Sequence, residues 1–96
     1  MLTREEILTT LKKNKPQLAA LGVQKIGLFG SFVHNQPNKN SDIDIFAELS
    51  HQDYKTVLSV LQLLENVLPT KVDLTYKGPH LRAPFLETIQ KEVIFV

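Results

Sequence analysis

The sequence predicts an α/β (α+β) domain built on a small mixed β-sheet flanked by helices, and three observations carry that expectation. Helix-like and strand-like stretches alternate along the chain. Apolar residues recur at spacings of three and four in the helix-like stretches, and they alternate or cluster in short runs in the strand-like ones. Gly, Pro and Asn fall between the two kinds and punctuate them, which favours a compact sheet with helices packed on it.

Each element follows in order. Thr3 with Glu6 fits a capping box, and Ile7, Leu8, Leu11, Leu18 and Leu21 form an apolar stripe that Pro16 breaks or restarts. Gly22 stops that helix, and Lys25 to Phe29 reads as a short strand ending at Gly30-Ser31. Asn35 to Asn40 is a loop by composition. The next run, Ser41 to Phe46, alternates polar and apolar with a period of two, a strand with one face buried and the other carrying Asp42 and Asp44. Ser50 is positioned to cap a second helix whose stripe is Tyr54, Val57, Leu58, Leu61, Leu64 and Leu68, and Pro69 ends it. Lys71 to Tyr76 is a third strand, Gly78-Pro79 turns into a last helix around residues 81–91, and Val93 to Val96 closes as a strand. No repeat, linker or low-complexity segment interrupts them.

Composition narrows the function classes. A chain of 96 residues suits a single domain, residues 1–96, which buries roughly 60% or a little more of its unfolded surface. The 43% apolar and 22% charged fractions are those of a soluble globular protein, and a net charge of +1 leaves no excess of Lys and Arg for direct nucleic-acid binding. Arg4, Glu5 and Glu6 stand where a signal peptide needs its apolar region, and no apolar run reaches the roughly 20 residues that span a bilayer. A cytoplasmic, membrane-free protein is expected. The absence of cysteine excludes disulfides and thiolate metal sites.

The chemistry-bearing residues are the acidic pair. Two residues apart on a strand, Asp42 and Asp44 point to one face with Cα atoms roughly 6–7 Å apart. Their charges repel, which costs stability unless a cation sits between them. Hard carboxylate oxygens suit Mg²⁺, which keeps its other positions for water and substrate phosphate oxygens, and this points to phosphoryl or nucleotidyl transfer. The Gly30-Ser31 turn complements the pair, because glycine permits close backbone approach and a serine hydroxyl with successive N–H groups can hold phosphate oxygens. A lone Gly-Ser is most often a plain turn, and a lone Asp-x-Asp a solvated strand face. Their conjunction, a strand ending in Gly-Ser and a loop into Asp-x-Asp on the next strand, favours function.

With those residues quoted, the chain resembles the minimal nucleotidyltransferases, small relatives of the polymerase-β-like superfamily. The resemblance runs through Gly30-Ser31, the eleven-residue step to Asp42, Ser41-Asp42-Ile43-Asp44, Val72-Asp73-Leu74 and the closing helix and strand from Leu81 to Phe95, nearly the whole chain. It implies the polymerase-β-like nucleotidyltransferase fold and transfer of a nucleoside monophosphate from an NTP. Gly30, Ser31 and Ser41 would face the nucleotide, and Asp42, Asp44 and Asp73 would be the catalytic, metal-holding carboxylates for two Mg²⁺ ions. Asp73 is expected on the strand beside Asp42 and Asp44. One departure stands out: where the family commonly has a small residue, Arg and Gly after Gly-Ser, this chain has Val33-His34-Asn35. His34 is mostly neutral near pH 7 and brings less charge to a phosphate than a guanidinium.

The remaining candidates have plainer readings. His34, His51 and His80 lack ligand spacing, Lys71, Lys77 and Arg82 read as solvating charges, and Tyr54 and Tyr76 as packing residues. Short members of the family resemble antitoxins encoded with HEPN-domain ribonuclease toxins, which they neutralise by adding AMP from ATP to a tyrosine. The resemblance therefore implies a HEPN toxin partner in a hetero-oligomer, with ATP as the nucleotide. The rival class is a non-catalytic binding module that masks its partner by contact alone. Small-molecule modification of the aminoglycoside-resistance type would need a substrate pocket that this length hardly provides.

Overall fold

The computed structural model describes residues 2–34 and 42–96. Along the chain these form α1 (Arg4–Lys13), α2 (Lys15–Ala20), β1 (Val23–Phe29), a single 3₁₀ turn (Ser31–His34), β2 (Ile43–Leu49), α3 (Tyr54–Val67), β3 (Val72–Tyr76), α4 (Ala83–Glu92) and β4 (Ile94–Phe95). The strands make one mixed sheet in the order β3-β2-β1-β4. β1 runs antiparallel to β2 and β4, whereas β2 and β3 are parallel and joined by the α3 crossover. The mixed sheet with helices expected from the sequence is the architecture observed.

Local chemistry explains the boundaries. Thr3 caps α1 as expected, its hydroxyl accepting from the Glu6 N–H at 3.2 Å. Pro16 starts α2 in the first turn, where its missing N–H costs nothing, and the stop at Gly22 has φ 104. β1 begins at Val23, two residues before the expected start, and β2 continues through Ala47 and Leu49, past the expected end at Phe46. The cap of α3 differs from expectation. Asp53, not Ser50, holds it, with the carboxylate accepting from the Thr56 hydroxyl at 2.7 Å and the Thr56 N–H at 3.4 Å. Ser50 instead lies three residues upstream, its hydroxyl 3.1 Å from His51 Nδ1. Tyr54, expected to pack, sits at the first position of α3 and is 80% exposed.

The sheet has two unlike faces. One carries Ile26, Leu28, Ile43, Ile45 and Ala47, all buried in one cluster with Ile7 and Leu11 of α1, Leu18 of α2 and Val60 and Leu64 of α3. Each of the Ile, Leu and Val side chains contributes about 1.5–3 kcal/mol on leaving water, and Ala47 less. The other face carries Asp44, Phe46 and Glu48, by the alternation of β2. Phe46 is fully buried there. Gly27 lies in register between Phe46 and Phe95, and because it has no side chain the two rings meet across it, centroids 6.3 Å apart at 62°. A Cβ on Gly27 would stand 2.7 Å from the Ile94 carbonyl oxygen.

The α3 cap gives a direct check. Asp53→Ala is expected to lower the melting temperature by about 5 °C, the effect of losing one N-cap in a domain this size, whereas Ser50→Ala should leave it within about 2 °C. Equal losses from both substitutions in thermal melts would contradict the capping role.

Candidate active site

β2 pairing sets the site. In the parallel ladder Asp44 is the direct partner of Asp73, so the two carboxylates leave the same face from strands about 4.8 Å apart. Asp42 immediately precedes β2 and is half-buried, and the Ile43 N–H beside it donates to the Lys71 carbonyl at 2.9 Å, pinning the entry of β2 to that of β3. On its other side Asp44 is opposite Phe29, and the chain then turns at Gly30 with φ 82. A Cβ on Gly30 would overlap the Asp44 carboxylate, so only glycine lets β1 end this close to the acid. Ser31, half-buried, opens the 3₁₀ turn, whose Phe32 and Val33 are buried in the core.

Three of the expected residues, Asp44, Asp73 and Gly30, are thus brought together, with Asp42 and Ser31 adjoining in the chain. Ser41 and the loop Asn35 to Asn40 lie outside the described residues.

Two residues that the sequence reading did not single out also reach the site. Glu92, the last residue of α4, accepts a hydrogen bond from the Gly30 N–H on Oε1 at 3.0 Å, and its Oε2 is 3.7 Å from His34 Nε2. Arg4 of α1 donates from Nη1 to the Val33 carbonyl at 2.8 Å and so ties the 3₁₀ turn to the first helix. Neither contact has a sequence signal, since Glu92 is 62 residues from Gly30 and Arg4 is 29 from Val33. His34 is exposed, with Glu92 as a neighbour.

Electrostatics follow from this crowding. Burial pushes the Asp44 carboxyl up to about 6, helped by the charges of Asp73, Asp42 and Glu92 in that order. All three of these charges are negative. Oxygen donors at this spacing, one carrying an ionisation that its neighbours oppose, suit a hard divalent cation in chemistry. Closure around an ion requires side-chain rotation, because no three His, Asp or Glu among the described residues already surround a common point. At the far end of β2 a pocket of about 300 Å³ is lined by Gln24, Glu48, Gln52, Lys77 and Leu86. None of the aspartates lines it, and at roughly 3.3 Å per residue Glu48 is about 13 Å from Asp44. Leu86 at that pocket and Glu92 at Gly30 show that α4 runs along the carboxylate face from one end to the other.

Clustered acids beside a glycine turn on a mixed sheet define a class, the nucleotidyltransferases. Residues 5–96 match the polymerase beta nucleotidyltransferase family, and the chain belongs to it. It is similar to the protein adenylyltransferase MntA of Thermococcus cleftensis, 35% identical over 100 residues that cover 100% of this chain and 98% of the relative. A Methanocaldococcus jannaschii protein named as an adenylyltransferase is 34% identical over 99 residues, covering 100% of both. Among solved structures, one described as a minimal nucleotidyltransferase superposes with a TM-score of 0.83 at 19% identity, over 97% of this chain and 95% of that one. A chain from the toxin–antitoxin pair MntA–HepT superposes with a TM-score of 0.63 at 24% identity, over 98% and 72%. Both share the fold.

The Asp44 environment makes a pH prediction. An unfolded aspartate titrates near 3.8 and the folded one near 6, so between those values the folded protein holds a proton that the unfolded chain has released. Stability therefore falls as pH rises from about 4 to about 6 and levels off above. In metal-free buffer Asp44→Asn should remove that part of the slope and melt above the wild type at pH 7. A variant that melts lower at pH 7, or keeps the whole slope, would contradict the raised Asp44 pKa.

Proposed function

We propose that this protein transfers AMP from ATP to a hydroxyl of a partner protein, and that the partner is a HEPN-domain toxin modified on a tyrosine. The observation that carries the reading is the Asp44–Asp73 register, with Asp42 two residues before and Gly30 against Asp44, in a chain of the polymerase beta nucleotidyltransferase family. The partner is supported by the adenylyltransferase name of the Thermococcus relative and by the fold shared with a toxin–antitoxin pair.

Roles follow from position. Asp42 and Asp44 would hold Mg²⁺, Asp73 would join them for a second ion, and Gly30 and Ser31 would face the triphosphate. When bound, the ions supply charge neutralisation at the phosphates and lower the pKa of the attacking hydroxyl. Asp73, the most exposed of the three aspartates, is the one open to an incoming acceptor and takes the hydroxyl proton. As the acceptor oxygen bonds to the α-phosphorus, the bond from that phosphorus to the pyrophosphate oxygen breaks. The products are an AMP ester and pyrophosphate, with the proton on Asp73. The proposed reaction belongs to the cytoplasm, where ATP is abundant.

Two measurements test the reading. A substoichiometric amount of this protein with Mg²⁺ and ATP should inactivate excess toxin, and inactivity should persist after separation, with the adduct mass of AMP on one tyrosine. Titration to a one-to-one endpoint that ignores ATP would instead make the protein a masking module. Asp73→Asn should lower turnover by about 10²-fold or more while Mg²⁺–ATP still raises the melting temperature. Unchanged turnover would remove Asp73 from the mechanism.

A further inference from the structure

The Gly30 N–H, the first donor of the turn proposed to face the triphosphate, is already taken. Its partner is the Glu92 carboxylate at 3.0 Å, an anion of the same kind as a phosphate oxygen and hydrogen-bonded as one would be. The placement is built into the fold. Glu92 ends α4, the Val93 N–H after it donates to the Ile89 carbonyl at 2.9 Å, and the chain passes directly into β4, where the Val96 N–H donates to the Ile26 carbonyl at 3.1 Å. β4 pairing with β1 therefore delivers Glu92 to the end of β1, where Gly30 lies. The second carboxylate oxygen faces His34, and the negative charge bears on Asp44. This site gains nothing electrostatically from a fourth acid, since Asp42, Asp44 and Asp73 already repel one another.

We propose that Glu92 is a built-in competitor of the nucleotide: its carboxylate occupies the triphosphate's place at the Gly30 N–H, and a nucleoside triphosphate binds by displacing it. This rests on the reading that Gly30 and Ser31 face the triphosphate. Displacement is cheap enough to be reversible, because the Glu92 side chain is 33% exposed and regains water as it leaves, so its removal should change affinity by a modest factor. A monophosphate or pyrophosphate, with fewer contacts, repays the displacement less well. The same carboxylate is on hand to reoccupy the N–H as product departs, so nucleotide affinity is held down in favour of turnover.

The test is calorimetric binding of Mg²⁺ with α,β-methylene-ATP, which cannot transfer AMP, to the wild type and to Glu92→Gln, Glu92→Ala and Ser31→Ala. Both Glu92 variants should bind about tenfold more tightly than the wild type, and Ser31→Ala more weakly. The glutamine variant, nearly the same shape, keeps the test open if the alanine variant folds poorly. If Ser31→Ala weakens binding while neither folded Glu92 variant binds better than the wild type, the competitor role is overturned and the nucleotide reading survives. If Ser31→Ala has no effect and the Glu92 variants also match the wild type, the triphosphate does not lie at this turn and both readings fall.

Discussion

Four carboxylates gathered at one end of a small sheet repel one another, and the rest of the structure is what holds them there. The holding forces are backbone pairing and apolar burial. β2 hydrogen-bonds to β3 in parallel and to β1 in antiparallel fashion, which fixes Asp44 beside Asp73 and against the turn at Gly30 whatever their charges prefer. The opposite face of the same strands buries Ile43, Ile45 and Ala47 completely, so β2 cannot slip by one residue without exposing them and turning Asp44 inward. Burial first, and the neighbouring charges after it, then hold the Asp44 pKa up, an imbalance that a cation would relieve.

The division of the sheet into a burying face and a reacting face also explains α4. This helix crosses the carboxylate face and carries the chain from β3 at one edge to β4 at the other, with Leu86 at the pocket beside Glu48 and Glu92 at the Gly30 turn. Phe46, Gly27 and Phe95 make a small apolar bridge across that face, which separates the aspartates at one end from Glu48 at the other.

Local signals were legible in the sequence and distant ones were not. The Thr3 cap, the break at Pro16, the stop at Gly22 and the period of two through Asp42 and Asp44 depend on neighbours within a few residues, and the elements lie where those signals put them. The α3 cap was misassigned because Ser50 and Asp53 are both good capping residues, and only the backbone decides which one reaches Thr56. Tyr54 fits the apolar spacing of α3 but stands at its first position, before the helix meets the core. Strand alternation placed Asp42 and Asp44 on one face, yet it could not reveal that Phe46, next on that face, would be buried under Phe95 from the far end of the chain. Pairing of Asp73 with Asp44 followed from family likeness rather than from any periodicity. The grip of Glu92 on Gly30 had no sequence signal, because a hydrogen bond over 62 residues is a product of the topology.

The central claim is that these acids form a divalent-cation site at the Gly30 turn. Mn²⁺, an oxygen-seeking paramagnetic ion, tests it residue by residue in an ¹⁵N-labelled sample. Substoichiometric Mn²⁺ should broaden the amide signals of Gly30, Ser31, Asp44 and Asp73 first. That of Ser50, just beyond the other end of β2 and roughly 20 Å from Asp44, should stay sharp, and Asp44→Asn should abolish the selectivity. Broadening centred elsewhere, or signals of Asp44 and Asp73 that remain sharp while other regions broaden, would contradict the account.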